Sequence, residues 1–540
     1  MNKKFVYTSL ALALSFGAMA QDKNAIKFSA PVNKDRAYDH LSILASDEYE
    51  GRETGKKGAW MAADYIKKQF QSFGLTGPVK GGTDPYFQKV GLVTYDVTQS
   101  SLSINGKAQA AKDFIISNNS VGLSGLDLSA NEVVFAGYGL TKDGYNDFDG
   151  INVEGKVVMV FSSGDPSGKA PEGQAANPRA AMQARQKLFG NLMKNKAKAI
   201  LLIDVNFDKV PDYQKAAAAN GRIMLKNEAT AKALQKPIPY TAITISPAVA
   251  NEILKVANTS LDAVSKKISE TGKPASQVIN VSIAANAQKK EVEHRGENVL
   301  GFLEGSDAKL KHEVLVVTGH YDHIGLEADP NAKDKVNNGA DDDGSGTTGV
   351  LMLAEAFAKA KKAGKGPKRS ILFMTVVGEE KGLLGSEWYS ENPVFPIANT
   401  ITNLNIDMIG RGDDDRPGDN NFVYIIGSNM LSDDLDRIGK KANTDYVNIV
   451  LDEKYNNRTD PNQFYYRSDH YNFAKFGIPV IFYFNGVHKD YHQPGDEVSK
   501  IDFPMLAKRA QLVYYTAWEL ANGEKRPVVN KNEDGTPKTN

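Results

Sequence analysis

The sequence predicts an α/β fold: a mostly parallel central sheet with helices on both faces, interrupted by an inserted β-rich α+β unit. Three observations carry this expectation. Beyond residue 295, short apolar runs (VLVVTG, ILFMTVV, NLNIDM, PVIFYF) alternate with helical stretches. Runs that are apolar at every position suit strands covered on both faces, and their alternation with helices is the pattern of parallel crossovers. Between about 118 and 275 the chain changes to shorter β-rich runs, EVVFAGYGL, KVVMVFS and AILLID, separated by Gly, Asp and Pro turns. Finally, 540 residues exceed what one hydrophobic core usually supports.

Taken in order, the chain opens with Lys3 and Lys4, an apolar stretch, and small residues at Ala18 and Ala20. That is the form of a secretory leader spanning 1–20, cut before Gln21, so the protein is expected to be periplasmic or secreted. The apolar stretch is shorter than the roughly 20 residues that cross a bilayer. Residues 21–117 form the first part of the main unit, with two helices around a Gly-containing loop. The second helix carries apolar positions Met61, Ala62, Ile66, Phe70 and Phe73. Residues 118–275 are the insert, and 276–523 the second part of the main unit, with a helix from Gly346 to about Lys361 and another near Met505 to Ala521. The tail, 524–540, is rich in Lys, Asn, Asp and Pro and is expected to be disordered.

Composition excludes more than it names. Lys plus Arg and Asp plus Glu are equal at 65 each, so no basic excess exists to hold nucleic acid or an anionic membrane. There are no cysteines. Any metal site must therefore use histidine and carboxylate, and stability after export must come without disulfides.

In an open α/β sheet, ligands bind at the carboxyl ends of the strands. The residues that end the apolar runs are His320, Tyr321 and Asp322; Gly378, Glu379 and Glu380; Asp407; and, through a loop, His492. The loop before the Gly346 helix adds Asp341, Asp342 and Asp343. So many carboxylates cannot share a cleft unpaired, and bound cations resolve the conflict. Mixed imidazole and carboxylate ligands suit zinc, and a carboxylate bridging two ions makes a two-metal hydrolytic site. Asp322, two residues beyond His320 on the same side of the strand, is placed to hold that histidine's other ring nitrogen. Of the adjacent Glu379 and Glu380, one can bind metal while the other moves a proton.

HYDH, GADDDGSGTTGV, VVGEEKGLLGS, NIDMIG and YHQPGDEVSKID stand in the order found in the di-zinc aminopeptidase family of secreted metallopeptidases, which this chain resembles. The resemblance extends to EGRETGKKGA. It implies two zinc ions, one held by His320 and Asp407, the other by Glu380 and His492, with Asp342 bridging them. It further implies Glu379 as general base, Tyr491 as a hydrogen-bond donor to the tetrahedral intermediate, and a cis peptide between Asp342 and Asp343. The insert, on VVFAGYGL and YNDFDGINVEGKVVMV, resembles a protease-associated domain.

Other features have plainer readings. His40 and His312 are expected to be ordinary surface or core residues; His323 and His470 lie nearer the constellation without joining the ligand set, and His488 is expected to line the cleft. Gly344, Gly346 and Gly349 spell GxGxxG, but the aspartates before them would repel phosphate; the glycines instead let the loop pass close and start a helix. Asp413 to Asp415 read as a solvated turn rather than a calcium site. The expected activity is removal of N-terminal residues from peptides. A carboxypeptidase or dipeptidase on the same core is the alternative, for which Arg411, Arg458 or Arg467 would bind a terminal carboxylate. Glutaminyl cyclisation, which relatives run with one zinc, and an inactive binding module are disfavoured by the complete ligand set.

Overall fold

The computed structural model of this chain describes residues 21–142, 144–166 and 178–538. The expected leader lies outside the described residues. An eight-stranded sheet has four adjacent parallel strands at its centre: Ser370–Val376, Val314–His320, Thr400–Ile406 and Val480–Phe484. Antiparallel neighbours flank this centre, Glu297–Leu303 and then Phe87–Lys89 on one side, Phe422–Ile426 on the other. Val450–Asp452 closes that second edge.

Both faces of the central strands are buried, which is why their sequences are apolar without alternation. Leu315, Val317, Ile371 and Phe373 enter one core; Val316, Leu372, Met374 and Val376 enter the core on the opposite face. The helix Gly346–Lys362 lies against the first face and is itself covered by Lys57–Phe73 and Phe503–Asn522. Lys57–Phe73 buries Ala62, Ile66 and Phe70 at helical spacing, with Met61 and Phe73 half-buried, and Gly74 ends it in the left-handed region at φ 87°. The expected glycine role holds for Gly346: a Cβ there would stand 2.2 Å from the Ile406 carbonyl oxygen.

The insert is larger than its sequence suggests. The antiparallel pair Leu92–Ile104 and Ile283–His294 runs in register from Leu92 opposite His294 to Ile104 opposite Ile283, with one bulge. The chain thus leaves and re-enters the main unit at adjacent points, near 92 and 294 instead of 118 and 275. These strands carry polar residues such as Gln99, Ser100, Ser101, Gln288, Lys290 and Glu291 on exposed positions, so no shift in composition marks the boundary. Beyond this ribbon stands a six-stranded sheet centred on Val157–Phe161 and Ala199–Ile203, with its own apolar core.

The tail also departs from expectation. Arg526 donates to the carbonyls of Ala398 and Thr400, the Asn530 amide donates to Asp433, and Lys531 pairs with the same carboxylate at 2.5 Å. Residues 524–538 are laid along the main unit because partners there satisfy the polar groups that made the segment look solvated. Among the described residues no helix is long and apolar enough to cross a membrane.

His40 is buried beside Tyr65, its Nδ1 2.8 Å from the phenol oxygen. Burial, with Arg36 adding to it, lowers its pKa from 6.5 to about 4. The folded chain keeps this ring neutral while the unfolded chain protonates it near 6.5, so its contribution is complete above that pH and is lost as pH falls towards 4. Between pH 6.5 and 4, His40→Gln should lose less of its urea stability than the parent; equal losses would show that His40 does not drive the acid dependence.

Candidate metal centre

The four parallel strands end on one edge, and each end delivers a site residue. His320 is the last residue of Val314–His320. Glu379 and Glu380 follow Ser370–Val376 through a turn at Gly378, φ 74°. Asp407 directly follows Thr400–Ile406, and His492 stands on the loop beyond Val480–Phe484. Asp342 comes from the loop that starts the helix Gly346–Lys362. The Asp342–Asp343 peptide is cis, as the family resemblance implies.

Asp342 stands between two groups of donors. Its Oδ1 lies 3.3 Å from His320 Nε2, which is 3.6 Å from Asp407 Oδ1. Its Oδ2 lies 3.0 Å from His492 Nε2, which is 3.0 Å from Glu380 Oε2. Ligands arranged tetrahedrally at about 2.0 Å from a zinc ion stand roughly 3.3 Å apart, so both groups have the spacing such an ion needs. Asp342 Oδ2 and His492 Nε2 are buried without a hydrogen-bond partner among the described residues. Buried polar atoms are rarely left so, and a cation between them satisfies both.

The electrostatics agree. Burial disfavours charge on His492, yet the facing carboxylates of Asp342 and Glu380 raise it to about 10. Burial also raises Glu379 well above the usual glutamate range; His320 opposes this, while Glu380, Asp407 and Asp469 add to it. Glu379 Oε2 lies 3.9 Å from His320 Nε2.

The three consecutive aspartates divide the work. Asp343 accepts the backbone N–H groups of His320, Gly346 and Met408 at 2.9–3.0 Å, tying two strand ends to the helix start. Asp341 accepts the Gly410 N–H and the Ser345 hydroxyl, and its Oδ2 lies 3.2 Å from His488 Nε2. Only the middle carboxylate is free to face both groups. Asp496 accepts the N–H groups of Asp341 and Asp342 and holds the loop from outside.

Asp322 differs from expectation: its backbone carbonyl, not its carboxylate, stands 3.1 Å from His320 Nδ1, with the nearer carboxylate oxygen at 3.9 Å. The chain turns away at the strand end, and the carboxylate is taken by Thr54 Oγ1 at 2.6 Å and the Glu379 N–H at 3.3 Å. His470 packs on Phe482 and joins neither group. His488 lies behind the loop, bound to Asp341, and does not line the cleft. Asp413 caps its own turn, accepting the Asp415 N–H and the Tyr424 hydroxyl. Of the three arginines, Arg411 pairs with Asp490 and Arg458 donates to the Met430 carbonyl, while Arg467 reaches the site's cavity.

Sequence reasoning missed three residues. His323 belongs to the second group, with Nδ1 2.8 Å from Glu380 Oε1; its proximity in HYDH was the available signal. Ser468 donates to Asp407 Oδ2 at 2.6 Å and accepts from Asn405, which in turn accepts from Thr318. Arg52, in the EGRETG segment, is buried and donates to the carbonyls of Leu44, Tyr321, Asn338 and Gly339.

Residues 298–517 match the model of peptidase family M28. Over this segment the chain is similar to family M28. Relatives include a probable leucine aminopeptidase of Arthroderma otae, 30% identical over 253 residues, which are 45% of this chain and 63% of that protein. Another is a probable zinc metalloprotease of Pyrenophora teres f. teres, 28% identical over 271 residues, 43% of this chain and 52% of that one. The chain thus spans half to under two thirds of these curated relatives. The solved aminopeptidase from Aneurinibacillus sp. strain AM-1 is 17% identical with TM-score 0.49, covering 96% of this chain and all of that one.

Beside these two donor groups lies a pocket of about 360 Å³, counting the space open to solvent. His320, Asp342, Glu379 and Asp407 form its polar side, and Met408, Phe464, Phe482, Phe484 and Val487 its apolar wall. Tyr491, stacked on His492 with ring centroids 3.9 Å apart, and the exposed Arg467 complete it. Because Ser468 holds the Asp407 carboxylate, Ser468→Ala should weaken zinc binding by roughly 10- to 100-fold in chelator competition. An unchanged affinity would reduce Ser468 to packing.

Proposed function

We propose that this protein is an exported aminopeptidase that works with two zinc ions and releases bulky apolar residues from peptide N-termini. The observation that carries the reading is the division of Asp342, one oxygen to each donor group, with Glu379 beside them and the apolar cavity opening on the same edge. His320, Asp342 and Asp407 would hold one ion; Asp342, Glu380 and His492 the other. When bound, zinc supplies Lewis-acid chemistry, polarising the scissile carbonyl and lowering the pKa of water.

The chain's own residues do the rest. Glu379 is not among the ligands of either ion in this assignment, and its carboxylate takes the proton of the attacking water and returns it to the leaving amine. Tyr491 supports the developing oxyanion from the cavity side. The apolar wall receives the side chain of the released residue and excludes water around it. The surrounding carboxylates favour a cationic substrate amine over a terminal carboxylate, and the names of the matched leucine aminopeptidases agree with that direction. Residues 1–20 support export. Arg467 favours a carboxypeptidase, since it reaches the pocket among the described residues.

A strong chelator should abolish hydrolysis and zinc should restore it, at two ions per chain. Glu379→Gln should keep both ions while kcat falls by roughly 10²–10⁴-fold with little change in KM. Glu380→Gln should instead lose zinc affinity and recover partly with added metal; the reverse pattern would exchange the two roles. On a panel of free, N-acetylated and C-amidated peptides, cleavage should require the free amine and favour Leu or Phe at the N-terminus. Rapid hydrolysis of N-acetyl peptides, lost on C-amidation, would establish the carboxypeptidase reading through Arg467.

A further inference from the structure

His323 offers a donor atom to the second group, yet it differs from the ligands there. Asp342 Oδ2 and His492 Nε2 have no hydrogen-bond partner among the described residues, whereas His323 Nδ1 already meets Glu380 Oε1 at 2.8 Å. The two oxygens of Glu380 are thus divided: Oε1 faces His323, and Oε2 faces His492 at 3.0 Å. From Asp342 Oδ2, His323 Nδ1 is farther away, 3.7 Å.

The opposite ring nitrogen decides between the two roles. His323 is fully buried and its Nε2 has no partner among the described residues. If Nδ1 gave its lone pair to a metal, the proton would sit on Nε2 without an acceptor, whereas metal-binding histidines normally donate that N–H. With the proton on Nδ1, Nε2 is left with only an unused lone pair, the cheaper of the two defects. The His323 backbone N–H is bound to the Arg52 carbonyl, and the ring lies close against Gly339, φ 57°, where a Cβ would stand 2.5 Å from ring Cδ2.

We infer that His323 is a positioning residue: its Nδ1–H holds Glu380 Oε1, so that Glu380 binds the second ion through Oε2 alone. This rests on the two-ion reading above. The second ion would then be held by three protein side chains, Asp342, Glu380 and His492, as many as the first.

The test uses the full chain, stripped of metal, titrated with zinc against a chromophoric chelator and separately with cobalt(II). In His323→Asn the side-chain amide nitrogen falls where Nδ1 was, so the donor is retained and a ligand is not. That variant should bind the second ion within a few-fold of the parent, with the parent's visible cobalt spectrum. His323→Ala should weaken the second ion by roughly 10- to 100-fold and leave the first unchanged. If His323→Asn loses affinity like His323→Ala and changes the cobalt spectrum, His323 is a ligand and the inference fails; it fails too if neither variant shifts the affinity. Should His323→Ala not fold, the His323→Asn spectrum decides alone. A parent that binds a single ion would overturn the two-ion reading instead.

Discussion

Like-charge repulsion at one edge of the sheet is the constraint on which the rest of the molecule depends. Asp322, Asp341, Asp342, Asp343, Asp469 and Asp496 are each at most 3% exposed, and Glu379, Glu380 and Asp407 stand among them. Such a cluster survives burial only if something positive, or something that donates hydrogen bonds, answers each carboxylate. Backbone N–H groups answer Asp343 and Asp496, hydroxyls and amides answer Asp341 and Asp322, and Arg52 puts a full positive charge beneath the loop. Asp342, Glu380 and Asp407 face histidines instead, while both carboxylate oxygens of Asp469 are buried without a hydrogen-bond partner among the described residues.

Precision at the centre follows from the same hydrogen bonds. Asp343 accepts from His320 on one strand, Met408 just beyond another, and Gly346 at the start of the helix. Three elements are thereby pinned to one carboxylate within a residue or two of the ligands. The buried chain from Asp407 through Ser468 and Asn405 to Thr318 fixes the orientation of the Asp407 carboxylate from below. Sites supported in this way by rigid strand ends hold geometry better than sites built on free loops.

The ribbon Leu92–Ile104 with Ile283–His294 explains how a second folded unit can interrupt the first without disturbing it. Its two ends enter the main unit side by side, as Leu92 faces His294, so the loop of chain between them can be of almost any length. Contact is made through a few groups, among them Arg222, which donates to the Lys381 carbonyl next to Glu380. The insert therefore touches the loop that carries Glu379 and Glu380.

Much of this was legible in the chain itself. Residues that are apolar at every position announced buried parallel strands, and the rule that ligands gather at carboxyl ends of strands picked out His320, Glu379, Glu380, Asp407 and His492 before any contact was known. Local chemistry suffices there because strand direction and side-chain type travel together along the sequence. The insert's true limits were hidden, since a solvent-facing ribbon has the composition of a loop; the tail's order was hidden, since its partners at Asp433 and Thr400 are far away in sequence. For the same reason only the folded chain could show that the Asp322 carbonyl rather than its carboxylate meets His320, and that Ser468 reaches Asp407 and His323 reaches Glu380, 61 and 57 residues away. Residue types and their order determined which atoms could bind metal. Distances of about 3 Å between remote segments, which depend on packing, decided which of them come together and which other groups hold them in place.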